Sequence, residues 1–165
     1  MSNQKTLFML VGPKGSGKTH IGTLINQHTD IAFLRVEPIW LGLKPNEDGW
    51  KKVETTIDAM FQNHDKLMVE SLGIGEEFRK FSASLARKYS VKMIRVYANL
   101  ETCFTRVKTR NNVEHIDVSD DKVTEFNQIA AAVTYNWNLE INNNDLASDK
   151  DIINAIQSIN GVEGE

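Results

Sequence analysis

The chain has 165 residues, 41% of them hydrophobic and 25% charged, with a formal net charge of -3. This length predicts one domain, residues 1–165, with a buried core. The acidic balance argues against a protein built mainly to bind nucleic acid, because phosphate backbones select basic surfaces.

No apolar run reaches the roughly 18–20 residues needed to span a membrane. The lone cysteine, Cys103, cannot form an internal disulfide, which suits a reducing cytosol. The polar start Met1–Lys5 leads straight into an apolar run and lacks the form of a signal peptide. The expectation is a soluble cytoplasmic protein with no membrane partner. Oligomeric state is left open.

In chain order, Leu7–Val11 reads as a buried strand, and Lys18–Gln27 as a helix with Ile21, Leu24, Ile25 and His28 on one side. Ala32–Val36 is a second strand. Trp50, Val53, Ile57 and Phe61 recur at helical spacing and predict a helix over Gly49–Asn63. Leu67–Val69 is a third strand. Glu76–Tyr89 is a helix that buries Phe78, Phe81, Leu85 and Tyr89. Val91–Ala98 is a fourth strand and Glu101–Arg110 a helix. The polar segment Asn111–Val118 fits neither period and is a loop. Ser119 caps a helix running to Thr134, with Asp120 and Asp121 in its first turn. Leu139–Ile141 is a short fifth strand, and Ser148–Ile159 a closing helix with four isoleucines facing inward. Strands alternating with helices predict right-handed β-α-β units and an α/β fold with a mainly parallel sheet covered on both faces.

Gly12-Pro13-Lys14-Gly15-Ser16-Gly17-Lys18-Thr19 matches G-x-x-x-x-G-K-[ST], the Walker A or P-loop pattern. Glycines let successive backbone N–H groups turn inward onto phosphate oxygens. The helix that follows aims its N-terminal dipole at the same anion. Lys18 can reach the β- and γ-phosphates, and the Thr19 hydroxyl can bind Mg2+. A strand precedes the motif and an amphipathic helix follows it, as the motif requires. The expected ligands are ATP and Mg2+. GTP is disfavoured, since neither an Asp-x-x-Gly turn nor an Asn-Lys-x-Asp stretch is present.

With this loop near the start of a small α/β chain, the sequence resembles the P-loop kinases of the shikimate, gluconate and adenylate kinase group. The resemblance implies a three-layer α/β/α domain, a five-stranded sheet ordered 2-3-1-4-5, and a short lid at about residues 111–119 that contains His115. In shikimate-kinase-like proteins the second strand ends in Phe-x-Asp-x-Asp. The matching stretch here is Phe33-Leu34-Arg35-Val36-Glu37. Glu37 therefore falls where that family faces the accepting hydroxyl, while Arg35 replaces the first acid. After the third strand, Val69-Glu70-Ser71-Leu72-Gly73-Ile74-Gly75 puts Glu70 at the Walker B position, beside the metal or the nucleophile. Arg106 and Arg110, four apart on one helix face, match the arginines that lead into the lid, where a guanidinium fork suits phosphoryl oxygens.

The resemblance is incomplete on the acceptor side. The Arg-Tyr-Ala spacing of shikimate kinases is Lys122, Phe126 and Ala130 here, and no arginine lies in Gly49–Asn63. The Gly-Phe-Pro-Arg-type signature of nucleoside monophosphate kinases is also missing. The expected function is transfer of the γ-phosphoryl of Mg-ATP to a small-molecule acceptor of unspecified identity. The candidate catalytic residues are Lys18, Glu37, Glu70, Arg106 and Arg110, and the candidate metal-side residues are Thr19 and Glu70. An ATP-binding regulator or switch without kinase activity is the alternative. Transfer to a macromolecule, as in toxin-type P-loop kinases, gains no support from the acidic charge. Trp50 and Trp137 read as packing residues. Trp40 stands out, because it follows Glu37 at the expected acceptor pocket. Asn142-Asn143-Asn144 either passes the adenine edge or forms a plain polar turn.

Overall fold

The computed structural model describes residues 4–109, 119–145 and 147–161. Five strands form one sheet: β1 (Thr6–Val11), β2 (Ala32–Leu34), β3 (Lys66–Ser71), β4 (Ser90–Tyr97) and β5 (Leu139–Asn142). Their order is β2-β3-β1-β4-β5, and every pair is parallel. This is the strand order the sequence led us to expect. All six residues of β1 are buried, as a central parallel strand requires. The chain extends outward from β1 in both directions, so the crevice for a ligand lies at the C-terminal end of that strand.

Alternation along β1 sorts its side chains into two cores. Leu7, Met9 and Val11 face a core closed by α3 (Gly49–Met60) and α4 (Gly75–Lys88), through Val53, Ile57, Phe78 and Leu85. Phe8 and Leu10 face a core closed by α1 (Lys18–His28) and α7 (Asp149–Gln157), through Ile21, Ile25, Ile152 and Ile156. The layers are therefore α/β/α. The remaining helices are α2 (Glu37–Leu41), α5 (Leu100–Thr109) and α6 (Asp120–Ala132). Ser119 and Ser148 cap α6 and α7, their hydroxyls accepting from Lys122 N and Asp151 N. No helix among the described residues is long and apolar enough to cross a membrane.

Three local expectations change. His28 is exposed, while Ile21, Leu24 and Ile25 make the buried stripe of α1. The second strand stops at Leu34, and a helix the sequence did not signal, α2, begins at Glu37. Pro38 explains this, since its fixed φ suits the first turn of a helix as well as the end of a strand. Glu37 therefore opens a helix. Glu70 lies within β3 and not beyond it, in register with Leu10 of β1.

Candidate active site

β1 runs into Gly12, and α1 begins at Lys18, so the phosphate-loop motif spans a strand-to-helix turn. Gly15 and Gly17 hold φ of 87° and 106°, a region where a side chain is strained. A Cβ on Gly17 would also sit 2.2 Å from Asn143 Nδ2, and one on Gly15 2.3 Å from the Cys103 carbonyl oxygen. The loop is thus wedged between α5 and the connection after β5.

Two asparagines brace it. Asn127 of α6 accepts from Lys14 N at 2.7 Å and donates to Lys14 O at 2.8 Å. Asn143 donates to Ser16 O at 2.8 Å and accepts from Ala147 N at 3.1 Å. Both are buried. Arg106 adds a third brace, donating to the carbonyls of Gly15 (3.3 Å), Asn143 (2.8 Å) and Asn144 (3.3 Å). These contacts fix the loop's curvature from three sides.

The loop is arranged for an anion. No side chain caps α1 at Gly17, and its first turn carries no acid. Its leading N–H groups and dipole are therefore not taken up by a capping side chain or a first-turn carboxylate, an arrangement that suits an anion. Ser16 Oγ is buried without a hydrogen-bond partner among the described residues, an orphan that an oxygen-rich ligand would satisfy.

Lys18 is buried, and its Nζ donates to Gly12 O at 2.5 Å and Pro13 O at 2.9 Å. Burial pulls its pKa down to about 8, with Lys14 adding to the fall while Glu70, Cys103 and Glu37 oppose it. Thr19 Oγ1 donates to both Glu70 oxygens, at 3.2 and 3.1 Å. Burial holds the Glu70 carboxyl above its ordinary range and Glu37 raises it further, against Lys18, Thr19 and Arg35. Lys14 Nζ lies 3.5 Å from Glu37 Oε2, both largely buried. A hydroxyl and a carboxylate side by side are hard oxygen donors of the kind Mg2+ takes alongside substrate phosphates. Among the described residues no group of three or more His, Cys, Asp or Glu could hold a metal unaided. The donor set therefore fits a cation shared with a phosphate ligand and not a stand-alone metal centre.

A cavity of about 490 Å³ joins this polar end to an apolar one. Lys18, Thr19, Glu37 and Glu70 line the polar end, and Trp40, Trp50, Val53, Leu72 and Phe81 the other. Volumes of this size hold small-molecule ligands.

Lys18, Thr19, Glu37, Glu70 and Arg106 all line one cavity. Arg106 arrives already engaged with backbone carbonyls. Arg110, His115 and residues 111–118 of the expected lid lie outside the described residues. Cys103 is buried, and burial pushes its thiol up. Of the three consecutive asparagines, Asn142 closes β5 and accepts locally from Asn144 N, while Asn143 and Asn144 reach distant backbone, at Ser16 O and Asn99 N. The sequence reading missed Asn127 and the bracing role of Asn143. The available signal for Asn127 was a polar residue between Val123 and Ala130 on the buried side of α6. Trp50 packs as expected and also lines the cavity.

No family model and no curated protein matches the chain. Among solved structures it is similar to an APS kinase from Mycobacterium tuberculosis in complex with AMPPNP and APS. The TM-score is 0.68 at 13% identity, covering 93% of this chain and 96% of that one. It is similar to a shikimate kinase from Acinetobacter baumannii in complex with shikimate, at TM-score 0.60, 17% identity, and 94% and 92% coverage. It is also similar to a gluconokinase from Sinorhizobium meliloti, at TM-score 0.58, 11% identity, and 94% and 90% coverage. At such identities the likeness is one of architecture. Together with the sheet order and the strand–loop–helix at Gly12–Thr19, it shows that this chain has the fold of the P-loop kinases.

Proposed function

We propose that the chain transfers the γ-phosphoryl of ATP to a hydroxyl of a small molecule held in the apolar end of the cavity. The observation that carries this reading is continuity. The cavity lined by the phosphate loop continues into an apolar end, and two carboxylates, Glu37 and Glu70, line it as well. A protein that only binds nucleotide has no need of a pocket beyond the γ-phosphate.

In this reading residues 1–165 form one domain, and residues 111–119 are its lid. The backbone N–H groups of the loop and the N-terminus of α1 hold the phosphates. Lys18 exchanges the Gly12 and Pro13 carbonyls for phosphate oxygens and neutralises charge on the group in transit. Thr19, with Glu70 beside it, would hold Mg2+, which when bound would add neutralising charge at the phosphate oxygens. Glu70 is tied to Thr19 on the metal side. Glu37 therefore orients the acceptor hydroxyl and takes its proton as the new O–P bond forms and the bond to ADP breaks. Arg106 holds the loop's shape, and Arg110, outside the described residues, is the second arginine proposed to neutralise phosphoryl charge.

The test is transfer from labelled ATP to a panel of polyols, hydroxy acids, nucleosides, nucleotides and aryl alcohols. Labelled product with at least one of them is expected. ATP binding retained with no transfer to any member would replace this reading with that of an ATP-binding regulator.

A further inference from the structure

The lining of the acceptor end restricts what the acceptor can be. The cavity's ionisable side chains are Lys14, Lys18, His20, Glu37, Glu70 and Arg106. They sit on the phosphate loop, the start of α1, the first residue of α2, the end of β3 and α5. Past Glu37 and Glu70 the wall is Val36, Trp40, Trp50, Val53, Leu72 and Phe81. In the turn after β3, Ser71 Oγ accepts from Gly73 N, and the Tyr135 hydroxyl donates to Gly73 O. None of the cavity-lining residues of α2, α3, β3 or α4 is cationic, so an acceptor carboxylate or phosphate held among them would be desolvated away from the cations of the loop end. A polyol hydroxyl left without a partner against this wall would lose roughly a factor of ten in affinity.

The wall is also shaped. Trp40 and Trp50 meet edge to face, with centroids 5.3 Å apart and planes at 81°. Trp50 and Phe81 lie 5.2 Å apart at 54°. Trp40 rests directly on Gly49, where a Cβ would come within 2.0 Å of its ring. The rings are held by neighbours on α3 and α4, so the aromatic wall is fixed by contacts within the protein. Glu37 and Trp40 are three residues apart on α2, an axial rise of about 4.5 Å. Both line the same cavity, so a hydroxyl at Glu37 and a ring at Trp40 can belong to one small molecule.

We infer that the acceptor is a neutral, flat ring compound carrying its reactive hydroxyl on a short link to the ring, and not a polyol, hydroxy acid or phosphate ester. This rests on the kinase reading and deepens it.

The experiment pairs transfer with binding. Aryl- and heteroaryl-methanols and nucleosides are compared with polyols, hydroxy acids and nucleoside monophosphates as acceptors for Mg-ATP. Without ATP, their binding is followed by tryptophan fluorescence in Trp137→Phe, which leaves Trp40 and Trp50 as the only emitters of the chain's 3 tryptophans. Ring alcohols are expected to quench that emission and to show the lowest KM. Trp40→Ala is expected to raise the acceptor KM roughly three- to tenfold with the KM for ATP unchanged. If that variant does not fold, Gly49→Ala, which pushes the Trp40 ring aside, carries the same expectation. A polyol, hydroxy acid or monophosphate as best acceptor overturns the inference and leaves the kinase reading standing. So does an acceptor KM indifferent to both variants. Quenching by ring alcohols with no transfer to any acceptor supports the pocket's ligand class while removing the kinase reading. Ring alcohols that neither bind nor accept phosphate overturn the inference.

Discussion

The two ends of the cavity are built by different means. The phosphate end comes from eight consecutive residues and depends on backbone: N–H groups, glycines of positive φ and one helix terminus. Asn127, Asn143 and Arg106 reach in from three distant elements to fix those residues. The acceptor end has no local segment of its own. It is a meeting of α2, α3, β3 and α4 through side chains that also belong to the core. On the proposed reading, backbone geometry meets the polyphosphate and side chains meet the acceptor, so the acceptor end can change without disturbing the loop. Substitutions should therefore separate the ends: changes at the loop act on nucleotide and on every acceptor alike, and changes at the aromatic wall on the acceptor alone.

The largest effect is expected at Lys18. Lys18→Ala removes a charged hydrogen-bond donor worth about 1.5–3 kcal/mol to a bound phosphate, so nucleotide affinity falls about 10–100-fold. Turnover falls by roughly a further 10²-fold, because the same charge serves the transition state. Titration with a fluorescent ATP analogue and single-turnover transfer separate the two losses. Unchanged affinity and rate would remove the loop assignment.

The braces come next. Asn143→Ala leaves the Ser16 carbonyl and the Ala147 amide without their partner, and Asn127→Ala does the same to both backbone groups of Lys14. Each buried group left unsatisfied costs about 1–3 kcal/mol. Thermal unfolding should shift down by roughly 2–4 °C per kcal/mol lost, with weaker nucleotide binding and an unchanged preference among acceptors. A changed acceptor preference would mean that the two ends are not independent.

The same division governs what could be read in the sequence. The phosphate end was legible because its chemistry is local: spacing alone names Gly12–Thr19, and the alternation of apolar segments gives the strand order once the family resemblance is added. Glu37, Glu70 and Arg106 were singled out by the family resemblance, the two acids also by their places at strand ends, and all three line the cavity. Asn127 was not, because nothing in α6 announces that it will meet Lys14, 113 residues away. Nor was α2, since Pro38 fits the end of a strand and the start of a helix equally well. The aromatic wall was half visible. Trp50, Val53 and Ile57 have core periodicity, and the same periodicity serves a residue that only packs and one that also faces a ligand.

The finest separation of the two ends is by pH. With its pKa near 8, Lys18 is charged at neutral pH and loses its proton as pH rises through that value. A phosphate ligand favours the ammonium, so binding raises the Lys18 pKa and draws in a proton. Nucleotide affinity is therefore greatest below pH 8. Above it affinity falls toward tenfold per pH unit, and the fall flattens once pH passes the raised value in the complex. Calorimetry near pH 8 in buffers of different ionisation enthalpy should record uptake of a fraction of a proton. Lys18→Arg keeps its charge throughout this range, and its affinity should lose the dependence even if it is weaker overall. Acceptor binding in the absence of ATP, set by Trp40, Trp50 and Phe81, should be flat over the same interval. A wild-type nucleotide affinity that is equally flat would mean that the ammonium does not move from the Gly12 and Pro13 carbonyls to the phosphates.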